Sequence, residues 1–128
     1  MKIVHQKYNN DCSVAVVSMM IDIPYKDVLA IAIENGFVPD NDKGLYADDL
    51  LNWCGYECDW ADGFYSTNDS DDVRMIITPS RFKDGNFHII GYHHGKVYDP
   101  NWVNKINLKR AVRSATHTGY NIRPKEDD

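Results

Sequence analysis

The 128-residue sequence has only three cysteines, an odd number in no framework spacing, so it offers no disulfide scaffold. It has no basic stripe: 14 Lys and Arg are scattered among 19 Asp and Glu, for a formal net charge of -5. That balance argues against nucleic acid and anionic membrane surfaces as partners. The longest apolar run, VAVVSMMIDI, is too short to span a bilayer and carries Asp22, so no membrane insertion is expected. Repeats, low-complexity segments and internal linkers are absent as well. The first residues lack a secretory signal pattern, so the three thiols are expected to be reduced and the protein cytoplasmic.

What the sequence does have is apolar content: 43% of its residues are hydrophobic, enough for one sizeable core without disulfide or metal support. The expected organisation is a single domain over residues 1–122 followed by a polar, acidic tail over 123–128. KIVHQ reads as a short extended segment. Asn9, Asn10 and Asp11 are candidate N-caps for a helix from about Cys12 to Ile21. Val14, Val16, Val17, Met19, Met20 and Ile21 leave that helix almost no polar stripe, which places it in the middle of the domain.

Pro24 opens a second helix, YKDVLAIAIENG, which Gly36 ends, and LYADDLLNWCG forms a third, again closed by glycine. From there the pattern changes. YECDWA, DVRMIITP, GNFHIIGYHH and KVYDPNW read as strands separated by Gly, Asp, Asn and Pro. LKRAVRSAT adds one or two further helical turns. Helices first and an antiparallel sheet second predict an α+β domain in two layers.

Cys12 falls in the first turn of the buried helix, where unpaired backbone N–H groups and the positive end of the helix dipole favour a thiolate. A thiolate attacks carbonyl carbon, so the position suits nucleophilic catalysis. The nucleophile needs a base, and the base needs a group that holds its tautomer. Of His5, His88, His93, His94 and His117, His88 lies in the strand pattern NFHIIGY, and Asp99 follows across the turn HHGK. A hairpin loop of two or four residues pairs position 92 with 97 and puts Asp99 on the face of His88, as a diagonal neighbour. Gln6 has a different task. The tetrahedral oxyanion needs two donors, which the Cys12 N–H and the Gln6 side-chain amide can supply if the KYNND turn folds back.

The order Gln6, Cys12, His88, Asp99 resembles that of papain-like cysteine peptidases. More narrowly, QKYNNDCSVAVVSMM, GLYADDLLNWCGYEC, MIITPSRFKDGNFHIIGY and VYDPN resemble the bacteriocin-processing peptidase domains, specific for double-glycine leaders, of some ABC exporters. The resemblance implies a papain-like fold with the nucleophile helix packed on a β-sheet. It further implies Cys12 as nucleophile, His88 as general base and acid, Asp99 as orienting group and Gln6 as oxyanion donor. Ser13 departs from it, standing where those domains usually carry glycine. A narrow cleft, walled by Tyr8, Phe87 or Trp102, would then prefer glycine or alanine on the acyl side of the scissile bond. No transporter segment follows within the sequence, so the chain is expected to act alone or with a partner protein in trans.

Other motifs read as structural. Cys54 and Cys58 with His93 and His94 match no four-ligand zinc spacing, and NDSDD at 68–72 lacks the glycine and glutamate of a calcium loop. Trp53, Trp60 and Trp102 suit core or cleft wall. The expected function is a cysteine peptidase acting on a peptide or protein substrate, with no cofactor and no metal. Acyl transfer or deamidation by the same thiolate, and a peptidase-like module that binds without cutting, are the alternatives.

Overall fold

A computed structural model describes residues 2–66, 73–79, 88–101 and 106–126. Among them are four helices and five strands: α1 (Cys12–Ile21), α2 (Tyr25–Glu34), α3 (Ala47–Trp53), β1 (Tyr56–Asp62), β2 (Arg74–Pro79), β3 (Ile90–His93), β4 (Lys96–Tyr98), α4 (Leu108–Ser114) and β5 (Ala115–Pro124). All strand pairs are antiparallel, and the sheet order is β1-β5-β2-β3-β4. The α+β expectation therefore holds at the level of mixed helix and antiparallel sheet.

Every residue of α1 is buried, as its lack of a polar stripe predicts. Its Val, Met and Ile side chains each contribute roughly 1.5–3 kcal/mol by leaving water. The helix is therefore held by its surroundings (α2, α3, β2 and β3) rather than by intrinsic propensity. Asp22, in the left-handed region at φ 56°, ends it, and Arg74 reaches back from β2 to the Met20 carbonyl and the Asp22 carboxylate.

Pro24 occupies the N-cap position of α2, one residue before the helix proper, and Gly36 at φ 100° turns the chain away after it. Helix α3 is shorter than the segment LYADDLLNWCG, because Tyr46 is extended and the helix begins only at Ala47.

In β2 the alternation of side chains explains the apolar run. Ile76 joins the core formed with α1, α2 and α3, whereas Met75 and Ile77 join a second core with Ile90, Tyr92, Ile106 and Ala111 of α4. Helix α4 thus covers the other face of the sheet. The domain has a third layer where two were expected.

The sequence reading also missed β5. After α4 the chain enters the sheet between β1 and β2, with Gly119 opposite Trp60 on one side and Ile76 on the other. A side chain at Gly119 would meet Trp60 and Cys58 at 3.0–3.1 Å, so glycine lets the neighbouring strand's aromatic ring lie over it. In place of a tail from residue 123, β5 runs through Pro124, Arg123 pairs with Glu57 and Asp59, and the Lys125 N–H donates to the Gly55 carbonyl at 2.9 Å. No helix among the described residues is long and apolar enough to cross a membrane.

Candidate active site

The β3–β4 connection is a two-residue turn, His94–Gly95, with both residues at positive φ (51° and 74°). That is the turn geometry whose twist matches a two-stranded hairpin. It sets Tyr92 opposite Val97 and Gly91 opposite Tyr98, the register that puts Asp99 within reach of His88. His88 Nε2 lies 2.6 Å from Asp99 Oδ1, with both residues buried at 3% exposure.

Asp99 is gripped from its other sides too. The Asn101 N–H donates to Oδ1 at 2.9 Å and the Ile106 N–H to Oδ2 at 2.6 Å. Burial pushes the Asp99 carboxyl up, but the hydrogen bond and charge of His88 and the two backbone donors outweigh it and hold the group below its ordinary value.

Cys12 is the first residue of α1, buried at 8% exposure, and its side chain hydrogen-bonds to His88. Burial, the largest influence on His88, disfavours its charged form. The bonds and charges of Asp99 and Cys12 together prevail and raise the imidazole from 6.5 to about 9. With Nε2 committed to Asp99, Nδ1 is the ring nitrogen left for the sulfur. The result is a buried line of sulfur, imidazole and carboxylate, the arrangement in which a proton can be held on the ring and passed to a leaving group.

Gln6 is tied to the same region. Its backbone N–H donates to the Pro100 carbonyl at 3.0 Å, directly after Asp99. Its side-chain Nε2 donates to the Tyr8 carbonyl at 2.7 Å, and Oε1 is buried without a hydrogen-bond partner among the described residues. Residues 7–10 between them form a turn that closes on the Asp11 carboxylate.

A cleft of about 830 Å³ opens beside Cys12. One wall is the segment Asn41–Asp48; Trp60, Thr78 and His117 stand on the sheet side, and Ser13 and Ile89 also line it. This is a substrate-sized space. Ser13 does not project freely into it, because its hydroxyl donates to the Leu45 carbonyl. Tyr8 is not among the lining residues, and Phe87 and Trp102 lie outside the described residues, as does the NDSDD segment.

Three features escaped the sequence reading. Asn10 and Asp11 read as helix caps, yet neither caps α1 with its side chain. Asn10 donates to the Val38 and Lys43 carbonyls at 2.9 and 2.8 Å and accepts from the Asp40 N–H at 2.8 Å, fastening the cleft-wall segment to the turn that precedes Cys12. Asp11 accepts from the Lys7 and Tyr8 N–H groups, each at 3.0 Å, and from the Tyr25 hydroxyl. His117 on the cleft wall belongs to the missed strand β5.

Cys54 and Cys58 are half-buried free thiols; burial raises both, Cys58 to about 11. No group of three or more His, Cys, Asp or Glu side chains among the described residues is placed to hold a metal ion. Set against protein-family models, curated proteins and solved structures, the chain matches none of them.

Proposed function

We propose that the chain is a papain-like cysteine hydrolase that cuts a peptide or isopeptide bond through a thioester on Cys12. The observation that carries this reading is the buried line from Cys12 through His88 to Asp99, opening on a cleft of about 830 Å³.

With its pKa raised to about 9, His88 keeps a proton at neutral pH, hydrogen-bonded between sulfur and carboxylate. The Cys12 sulfur attacks the carbonyl carbon and forms a carbon–sulfur bond. The oxyanion takes hydrogen bonds from the Cys12 N–H and from Gln6 Nε2. His88 gives its proton to the leaving amine as the carbon–nitrogen bond breaks. Water then attacks the thioester, His88 accepts the water's proton, and the acid product leaves as the sulfur is released. Asp99 keeps the ring oriented and its positive charge paired throughout, fixed by two backbone N–H groups. An extended peptide lies along the cleft, between the Asn41–Asp48 wall and the sheet.

A peptide vinyl sulfone tests the reading, with the adduct located by mass mapping. Labelling should fall on Cys12, and His88→Ala should suppress it far more than His93→Ala or His94→Ala. A peptide library should be cleaved by the wild type and left intact by Cys12→Ala. If nothing is cut, and wild type and Cys12→Ala bind the same peptides equally, the chain is a binding module instead.

A further inference from the structure

Asp11 is fully buried at 0% exposure, adjacent to the proposed nucleophile, and makes no side-chain cap on α1. A carboxylate in that place opposes negative charge on the neighbouring sulfur unless its own charge is absorbed. Here three donors absorb it: the Lys7 N–H, the Tyr8 N–H and the Tyr25 hydroxyl from α2. Burial and the Asp11 carboxylate raise the Tyr25 phenol above its ordinary pKa, so it stays a donor.

The same residue that Asp11 holds by its N–H, Tyr8, holds the Gln6 side chain by its carbonyl. The Gln6 backbone is pinned at the other end to Pro100. An amide nitrogen carries two hydrogens, and only one of those on Gln6 goes to Tyr8.

We propose that Asp11, clamped by Tyr25, is a positioning residue: it holds the Gln6–Asn10 turn so that Gln6 Nε2 presents its second N–H to the oxyanion formed on Cys12. The proposal rests on Cys12 as nucleophile and Gln6 as donor, and deepens that reading. Two probes separate the turn from the thiol. Iodoacetamide alkylates the sulfur without forming an oxyanion, whereas a small aldehyde such as N-acetylglycinal forms a tetrahedral adduct that needs the donors.

In the full-length protein, Gln6→Ala should weaken aldehyde binding on the order of 10²-fold, the usual effect of losing one such donor. Asp11→Asn should weaken it comparably, and Gln6→Ala with Asp11→Asn should weaken it no further than Gln6→Ala alone. Tyr25→Phe leaves Asp11 its two backbone donors and should give a smaller loss of the same kind. None of these should slow alkylation of Cys12 by iodoacetamide. The proposal is overturned if the Gln6 and Asp11 losses add, if Asp11→Asn and Tyr25→Phe leave aldehyde binding unchanged, or if alkylation falls in step with it. A wild type that alkylates but captures no aldehyde would instead overturn the nucleophile reading itself.

Discussion

The Gln6 N–H donates to the Pro100 carbonyl at 3.0 Å, joining the segment before α1 to the segment after β4. Residues far apart in sequence thereby frame one site. Asp99, just before Pro100, holds His88, and Gln6 begins the turn that delivers Cys12. The sheet contributes through its two-residue hairpin turn, and the core contributes by burying α1 from end to end. The site is thus a product of where the chain returns, not of one motif.

Cys12 should alkylate before Cys54 and Cys58 in the native protein at neutral pH. Exposure alone predicts the reverse, since Cys12 is buried and the other two are only half-buried. Burial raises Cys54, and burial together with the charges of Asp48, Asp59 and Glu57 raises Cys58 to about 11 against the pull of Arg123, which keeps both as poorly reactive thiols. Cys12 has His88 beside it and a cleft for access. Mass mapping after limiting iodoacetamide decides the matter, and equal or slower labelling of Cys12 would return it to the role of a core residue.

Much of this was legible in the sequence, for definite reasons. The α1 boundaries follow from an apolar run behind Asp11 that only Ser13 and Ser18 interrupt, and the approach of His88 to Asp99 follows from the parity of a His-Gly turn. Strand β5 was not legible. ATHTGYNIRP has a burial pattern that does not alternate, carries glycine in its middle, and pairs with strands distant in sequence on both sides. The third layer was hidden for a related reason: the burial of Met75 and Ile77 on one face and Ile76 on the other becomes visible only once α4 is placed. Asn10 and Asp11 misled because Asn and Asp before a helix are good caps, and only the fold shows the Asn10 side chain turned to the cleft-wall loop and that of Asp11 to its own preceding turn and Tyr25 of α2.

Asn10→Ala should loosen the cleft wall more than the core. It removes three hydrogen bonds to Val38, Asp40 and Lys43 and strands backbone groups that Asn10 now satisfies. A loss of roughly 1–3 kcal/mol in unfolding free energy is expected. Hydrogen exchange should accelerate first at the Asp40 amide, while amides inside α1 keep their protection. Uniform acceleration across α1 would mean that Asn10 supports that helix itself rather than the wall.

Gly91→Ala tests how closely the strand that follows His88 packs on α1. A Cβ at Gly91 would stand 2.6 Å from the terminal methyl of Met20, so that side chain must move. Overpacking of this kind costs about 1–3 kcal/mol. Because the obstruction is the end of a flexible side chain, Met20→Ala should make Gly91→Ala less costly than it is in the wild-type background. Additive losses in a denaturant double-mutant cycle would place the strain in the backbone instead.

The final prediction concerns pH. His88 has its ordinary pKa of 6.5 in the unfolded chain and about 9 in the folded one. A raised pKa means the folded state holds the proton more tightly, so this group's contribution to stability is complete below 6.5 and is lost as the pH climbs through about 9. Asp99 behaves in the opposite sense: its depressed pKa contributes stability above its ordinary value, 3.8, and loses it as the pH falls through the lowered one. Between those limits the pair is fully charged. The stability advantage of wild type over His88→Gln should therefore shrink as pH rises from about 6 to about 10, by on the order of 3 kcal/mol. Imidazole NMR should show His88 titrating near 9 in the wild type. The midpoint should be lower in Cys12→Ala, where the sulfur's hydrogen bond and charge are gone, and lower again in Asp99→Asn, where the carboxylate's charge is gone and its hydrogen bond is weakened. A wild-type midpoint near 6.5 that neither substitution moves would show that sulfur, ring and carboxylate are not coupled, and the mechanism built on their coupling would fall with it.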